Sequence, residues 1–263
     1  MRVVWAVVAG LAVTLTGTAQ QNAKAFLDKV LQKYRNANSW ELSADFTLET
    51  TMGANQSRQV IEGTMLFQRP NMAVIKMRSA GMPLGEFYCD GKHAYQYNPT
   101  TKQYLKQPAP ADLKEANILI LGPWFGQLLM ALEQDLDKTA QNAKFEFRGT
   151  QTIAGKPTRV VEVSETKGNR SSKTRVYVGV RDSLVYRIEQ TEVVRPAQQG
   201  VSDSQANIPP RTTKIVVNLR YVSFNKRIPV ARFRFTPPKD AKEIKLPQPT
   251  RPTPAVPPQG NRQ

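Results

Sequence analysis

The stretch W-E-L-S-A-D-F-T-L-E at residues 40–49 decides the fold, because apolar and polar residues alternate through it. Leu42, Ala44, Phe46 and Leu48 fall on one side of an extended chain, and polar residues separate them. This period of two is typical of a strand that buries one face and exposes the other. The stretch therefore predicts an antiparallel strand with its apolar side toward a core.

The same alternation recurs along most of the chain downstream. Turn signals separate the alternating segments, and Asp90-Gly91 is a strong one because it favours a tight hairpin. The predicted strands lie at residues 40–49, 60–68, 72–78, 87–89, 92–97, 103–106, 144–149, 158–164, 174–180, 184–194, 214–224 and 231–235. Consecutive antiparallel strands tend to curl, so the sequence predicts a mainly β fold, an incomplete antiparallel β-barrel or half-barrel, in one domain.

Two segments have the period of a helix instead. Residues 23–37 carry apolar residues at three- and four-residue spacing, and a second predicted helix runs from Gly122-Pro123 to about Lys138. The apolar stripe of the second helix comprises Trp124, Phe125, Leu128, Leu129, Leu132 and Leu136. From composition alone, this stripe and the inward strand residues form either an ordinary core or a surface for an apolar ligand.

Residues 1–19 have the organisation of a signal peptide. Met1-Arg2 supplies a positive start, residues 3–15 are almost wholly apolar, and Gly17-Thr18-Ala19 offers small residues for cleavage after Ala19. A membrane anchor is the alternative, but the apolar stretch is shorter than the roughly 20 residues that a span needs. We therefore expect an exported protein with one domain at residues 20–245 and a disordered proline-rich tail at 246–263.

The formal net charge of +16 raises the question of a nucleic-acid partner. The lysines and arginines are spread along the chain without interleaved stacking aromatics, so their pattern does not favour nucleic acid. In an exported protein, this charge favours transient contact with anionic lipid headgroups or an acidic partner, or serves only to keep the protein soluble.

No residue pattern indicates catalysis, a metal site or a cofactor. The chain has one Cys and one His, which leaves no disulfide framework and no zinc-finger pattern. His93 lies in a predicted strand, and Cys89 alternates as a small buried apolar residue would. Glu133 and Asp137 share a helical face that belongs to the solvated side of the predicted helix. We therefore expect a protein that is not an enzyme and holds no cofactor.

Three segments, in order, resemble motifs of the bacterial outer-membrane lipoprotein carrier (LolA-like) family. Residues 62–71 read E-G-T-M-L-F-Q-R-P-N, residues 89–99 read C-D-G-K-H-A-Y-Q-Y-N-P, and residues 231–238 read A-R-F-R-F-T-P-P. Order and spacing agree from about Ala23 to Ile244, while the Pro196–Pro210 loop is long and the proline-rich tail is extra.

The resemblance implies a periplasmic carrier that shields lipoprotein acyl chains during transfer from the inner to the outer membrane. Its helices would form a lid over an apolar cavity, and Arg69 would hold that lid shut through hydrogen bonds to backbone carbonyls at a helix end. The implied cavity-lining residues are Leu42, Phe46, Met65, Phe67, Ile75, Met77, Trp124, Phe125, Leu128, Leu129 and Leu132.

The implied partners are acylated lipoproteins or lipids, an inner-membrane release transporter and an outer-membrane acceptor. The alternative on the same fold is a regulatory protein that senses lipid or lipoprotein. A hydrolase is the least favoured hypothesis, because the sequence offers no pair of nucleophile and base.

Overall fold

The computed structural model describes residues 9–113, 123–196 and 209–245, without the side chains of residues 9–18, 123–125 and 139. The proline-rich tail and most of the Pro196–Pro210 loop therefore lie outside the described residues. Within the described ranges, no helix combines the length and the apolar character needed to cross a membrane.

The secondary structure consists mainly of strands. The strands are β1 (Ser39–Met52), β2 (Asn55–Gln68), β3 (Met72–Ser79), β4 (Met82–Asp90), β5 (His93–Asn98), β6 (Gln103–Pro108), β7 (Lys144–Ile153), β8 (Lys156–Lys167), β9 (Arg170–Gly179), β10 (Val185–Val194), β11 (Arg211–Phe224) and β12 (Lys242–Ile244). The helices are α1 (Ala9–Asn36), α2 (Pro123–Glu133) and α3 (Leu136–Thr139), and a 3-10 helix covers Val230–Phe233.

All twelve described strands belong to one sheet, in the order β12-β6-β5-β4-β3-β2-β1-β11-β10-β9-β8-β7. Strand β1 lies in the middle, so one meander extends from it through β2 to β6 and the other through β11 to β7. The pairs are antiparallel except for the short β12, which runs parallel to β6. The sheet ends at β12 and β7 without closing. The predicted incomplete antiparallel fold is thus confirmed as an open sheet.

One face of the sheet, here called the inner face, carries the main apolar core. Leu42, Ala44 and Phe46 of β1 are almost fully buried there, as the alternation in residues 40–49 predicts. Helix α1 packs on this face through residues at helical spacing, namely Ala23, Leu27, Val30, Leu31 and Tyr34. The period of two in the strand and the helical period in α1 therefore meet in a single core.

The opposite, outer face carries a second and smaller apolar cluster. Its buried members are Leu66, Val74, Tyr88, Ile228 and Phe233. Phe233 belongs to the 3-10 helix, so the predicted strand at residues 231–235 is wrong. Prolines at 229, 237 and 238 flank this segment, and because proline lacks an N–H group they disfavour a regular ladder.

The helices differ from their predicted bounds in two places. Helix α1 begins at Ala9 and so continues from the segment predicted for export into the amphipathic segment. The predicted helix to about Lys138 is wrong as one unit, because it is interrupted between α2 and α3. Asp135 has extended backbone angles there (φ −98°, ψ 109°), and its side chain accepts a hydrogen bond from the N–H of Asp137 at 3.1 Å. An N-cap of this kind starts a new helix.

Candidate functional site

Arg69 joins the end of β2 to the end of α1. Its Nε donates a hydrogen bond to the carbonyl of Ala37 at 2.9 Å, and its Nη2 donates to the carbonyl of Tyr34 at 3.3 Å. Carbonyls in the last turn of a helix lack donors from within the helix, and a guanidinium carries several donors in a fixed plane. The guanidinium also lies over the ring of Phe67, 5.3 Å from its centroid. These contacts are of the type that the resemblance implies for Arg69.

Glu133, in the last turn of α2, is a second partner of Arg69. Arg69 Nη2 donates to Glu133 Oε1, and the two side chains are 19% and 5% exposed. The prediction that Glu133 belongs to the solvated side of its helix is therefore wrong. Helical spacing could not find the pair, because the cation comes from the turn after β2, 64 positions earlier in the chain. Asp137 is solvated, as predicted, with a side chain that is 79% exposed.

Two further polar contacts connect α1 to the segment of α2 and α3. Arg35 Nη1 donates to the carbonyl of Gln134 at 2.5 Å, just after α2 ends. Lys24 forms an ion pair with Asp137 in α3. Together with Arg69, these cations hold the C-terminal end of α2 and the start of α3 against the rest of the protein.

Asn71 ends the first of the three family-like segments (residues 62–71) and contacts the second (residues 89–99). Its Nδ2 donates to the carbonyl of Gly91 at 3.2 Å and to the carbonyl of Pro110 at 2.8 Å. Gly91 has a φ of +92° in the tight turn between β4 and β5, where a side chain would be strained. The R-P-N segment therefore fixes both the helix end and the hairpin beside it.

The residues predicted to line a cavity lie together on the inner face. Leu42, Phe46, Met65, Phe67, Ile75, Leu128, Leu129 and Leu132 are at most 3% exposed, and Met77 is partly buried against them. The side chains of Trp124 and Phe125 lie outside the described residues. The buried residues form one cluster with the apolar side of α1. In this arrangement the inner face is covered by helices, and its side chains pack as a core.

A hydrogen-bond network anchors α1 to the second meander. The hydroxyls of Tyr34 and Tyr221 share a hydrogen bond of 2.5 Å, and the N–H of Val185 donates to Tyr34 Oη at 2.8 Å. Burial raises the pKa of both hydroxyls well above the ordinary tyrosine value, so they stay neutral. Sequence periodicity identified Tyr34 as an apolar position and missed this polar role.

The two side chains that the sequence offers for catalysis, Cys89 and His93, belong to strands of the sheet. Cys89 is fully buried on β4, and burial raises the pKa of its thiol, which disfavours the nucleophilic thiolate. His93 is half-buried at the start of β5, beside the ring of Tyr95. In the part of the chain that the structure describes, no group of three or more His, Cys, Asp or Glu residues is placed to hold a metal ion.

Comparison with protein families gives a match over most of the chain. The profile described as "Predicted periplasmic protein (DUF2092)" matches residues 23–247. An outer-membrane lipoprotein carrier protein of Bordetella avium is 24% identical over 236 residues, which is 89% of this chain and 91% of that protein. The resemblance that the three segments indicate is thereby confirmed.

Two further similarities are of lower coverage or lower identity. The uncharacterized protein MJ0687 of Methanocaldococcus jannaschii is 24% identical over 226 residues, or 86% of this chain, and the aligned part is about half (54%) of that protein. Among solved structures, LprF from Mycobacterium bovis aligns with 84% of this chain and 98% of its own, at 12% identity and a TM-score of 0.42.

Proposed function

We propose a function from one premise, namely that this chain belongs to the DUF2092 family of predicted periplasmic proteins. In the periplasm, the protein binds the acyl chains of lipids or lipoproteins on the inner face of its sheet. It shields these chains from water and carries lipoproteins from the inner to the outer membrane. The similarity to the Bordetella avium carrier protein supports this class of cargo.

The observation that carries the proposal is the position of Arg69. One guanidinium contacts the carbonyl end of α1 and the carboxylate at the end of α2, and both helices pack on apolar strand residues. When the lid opens, water can solvate both the guanidinium and the carboxylate, so this directional contact can break and re-form reversibly. Arg69 is thus suited to act as the latch of a lid that consists of α2 and α3.

Opening this lid would expose an apolar surface of the right kind for acyl chains. Leu128, Leu129 and Leu132 would leave the inner face, and Met65 and Met77 would become accessible on the strands. Methionine side chains adapt to flexible ligands because their thioethers are unbranched and polarizable. Each buried CH₂ group contributes about 0.8 kcal/mol, so a bound acyl chain compensates for the contacts that the lid loses.

The variant Arg69→Leu tests the latch. Without the guanidinium the closed form loses stability, so a larger fraction of the protein is open and competent to bind. We expect the affinity for a fluorescently labelled palmitate to rise about tenfold and its release to slow. Lipoprotein should then accumulate on the variant instead of passing from inner-membrane to outer-membrane vesicles.

The matched control is Arg232→Leu. Arg232, in the 3-10 helix, likewise pairs with a carboxylate, that of Glu41, at 2.7 and 2.8 Å, but the pair lies on the outer face of the sheet. We expect its palmitate affinity and its transfer activity to equal those of the parent protein. If Arg69→Leu also binds and transfers as the parent does, Arg69 is not a latch. If the parent protein does not bind palmitate at all, the proposed function is wrong.

A carrier of this kind needs partners at both membranes. The proposal therefore includes an inner-membrane transporter that releases lipoproteins to the protein and an outer-membrane acceptor that receives them. Transient contact with anionic lipid headgroups at each membrane is consistent with the formal charge of +16.

A further inference from the structure

A row of alternating lysine and hydroxyl side chains crosses the second meander. Lys144 on β7 is the register partner of Ser164 on β8, which is the partner of Lys173 on β9. Lys173 is in turn the partner of Thr191 on β10, which is the partner of Lys214 on β11. Register partners project on the same side of a sheet, so all five side chains share one face.

This row lies on the outer face. Lys214 is the register partner of Glu49 on β1, and Glu49 alternates with the inner-face residues of that strand. Neighbouring strands are 4.7–4.9 Å apart, so lysines on alternate strands are spaced by about 10 Å. The row is therefore separate from the lid and from the apolar inner face.

The five residues line a cleft with a volume of about 900 Å³. Asn142, Ser171 and Ser172 add further polar groups to its walls. A cleft with hydroxyl, amide and ammonium groups offers both donors and acceptors to a polar ligand.

The charges in the cleft leave two lysines available to a ligand. Among the lining residues, Lys144, Lys173, Arg175 and Lys214 oppose only Glu165 and Glu189. Arg175 is 2.8 Å from the buried carboxylate of Glu162, and Lys173 is 3.7 Å from it. In the described part of the chain, no carboxylate lies within ion-pair distance of Lys144 or Lys214, the two ends of the row.

We propose that this cleft is a binding site for an acidic polysaccharide, distinct from the acyl-binding face. The ammonium groups of the row pair with carboxylates along an extended glycan, and Ser164 and Thr191 between them hydrogen-bond to its hydroxyl groups. A chain with regularly spaced charges can contact several strands at once, which adds affinity without a deep pocket.

Polygalacturonate is the probe, and calorimetry at low ionic strength is the measurement. The parent protein should bind polygalacturonate, release it as salt is added, and ignore neutral dextran. The double variant Lys144→Gln/Lys214→Gln should bind about tenfold more weakly, because it lacks both unpaired charges. Its palmitate affinity should be unchanged, which separates this site from the proposed carrier function.

The control variant Lys92→Gln/Lys239→Gln removes the same charge from two exposed positions outside the cleft. An equal loss of polygalacturonate binding in the control would show that net charge alone is responsible and would overturn the proposal. Tighter binding of polyglutamate, or of phosphatidylglycerol vesicles, through the same two lysines would also overturn it, because the site would then serve a peptide or a membrane.

Discussion

Glu162 shows how the sheet accommodates a carboxylate that is almost fully buried. Its side chain is 4% exposed, and Arg148 and Arg175 each lie 2.8 Å from it. Burial acts to raise the pKa of Glu162, but the hydrogen bonds from the two arginines outweigh it, so that the pKa lies below the ordinary value. The folded protein therefore holds this proton less tightly than the unfolded chain does.

This difference predicts a loss of stability in acid. A carboxylate whose pKa is lowered on folding stabilises the protein fully above the ordinary glutamate pKa, and the contribution disappears as pH falls through the folded pKa. We expect Glu162→Gln to lower the free energy of unfolding by about 1.5–3 kcal/mol at neutral pH, because it weakens the hydrogen bonds from two partly exposed arginines to a charged group. Urea unfolding at neutral and acid pH measures both effects. A variant whose stability declines in acid as steeply as that of the parent would contradict this role.

At the scale of elements, α1 is attached to the second meander by hydrogen bonds of the Tyr34 hydroxyl as well as by apolar packing. The Tyr34 hydroxyl accepts the N–H of Val185 at the start of β10 and pairs with the hydroxyl of Tyr221 on β11. These groups are buried, so losing their partner leaves them without water to replace it. The contact fixes the rotation of α1 relative to the second meander.

Removing the Tyr34 hydroxyl should therefore destabilise this junction. We expect Tyr34→Phe to lower the free energy of unfolding by about 1–3 kcal/mol and to speed hydrogen exchange at the Val185 amide. Adding Tyr221→Phe should lower the free energy of unfolding much less in the Tyr34→Phe variant than in the parent protein, because the Tyr221 hydroxyl has already lost its partner there. Additive losses in this double-mutant cycle would show that the two hydroxyls act independently.

The elements differ in how well the sequence predicts them. The alternation at residues 40–49 predicts β1 and its buried side, because one face meets a core and the other meets water. The same reasoning fails at residues 231–235, where prolines and the packing of Phe233 replace strand pairing. It also fails at Glu133, because its partner Arg69 is distant in the chain and only the tertiary fold brings the two together.

At the scale of the whole molecule, the described residues form two separate apolar clusters, one on each face of the sheet. Helices cover the inner face, while the C-terminal segment covers Leu66, Val74 and Tyr88 on the outer face. Phe233 is fully buried in this outer cluster, and Phe235 contacts the ring of Tyr88 at a centroid distance of 5.0 Å. The two clusters should thus be separable by mutation.

The variant Phe233→Ala tests this separation. Truncating a fully buried phenylalanine should lower the free energy of unfolding by about 3–5 kcal/mol. Because the residue lies on the outer face, the folded variant should bind palmitate with the affinity of the parent protein. Leu128→Ala, on the inner face, should change the palmitate affinity. Calorimetry below the unfolding temperature measures the palmitate affinity of both variants. Altered palmitate binding in Phe233→Ala would show that the two faces are coupled.

The central position of β1 has a consequence for how the polypeptide acquires its structure. Trp40 pairs with Phe224 at one end of the β1–β11 ladder, and Met52 pairs with Arg211 at the other. This ladder, here called the seam, therefore joins early and late parts of the polypeptide. During synthesis or translocation, one edge of β1 therefore stays unpaired until β11, near the end of the polypeptide, becomes available. Such an edge is a template for intermolecular pairing and aggregation. Assembly of the seam, rather than of either meander, is therefore the step at which nascent molecules most need protection from one another.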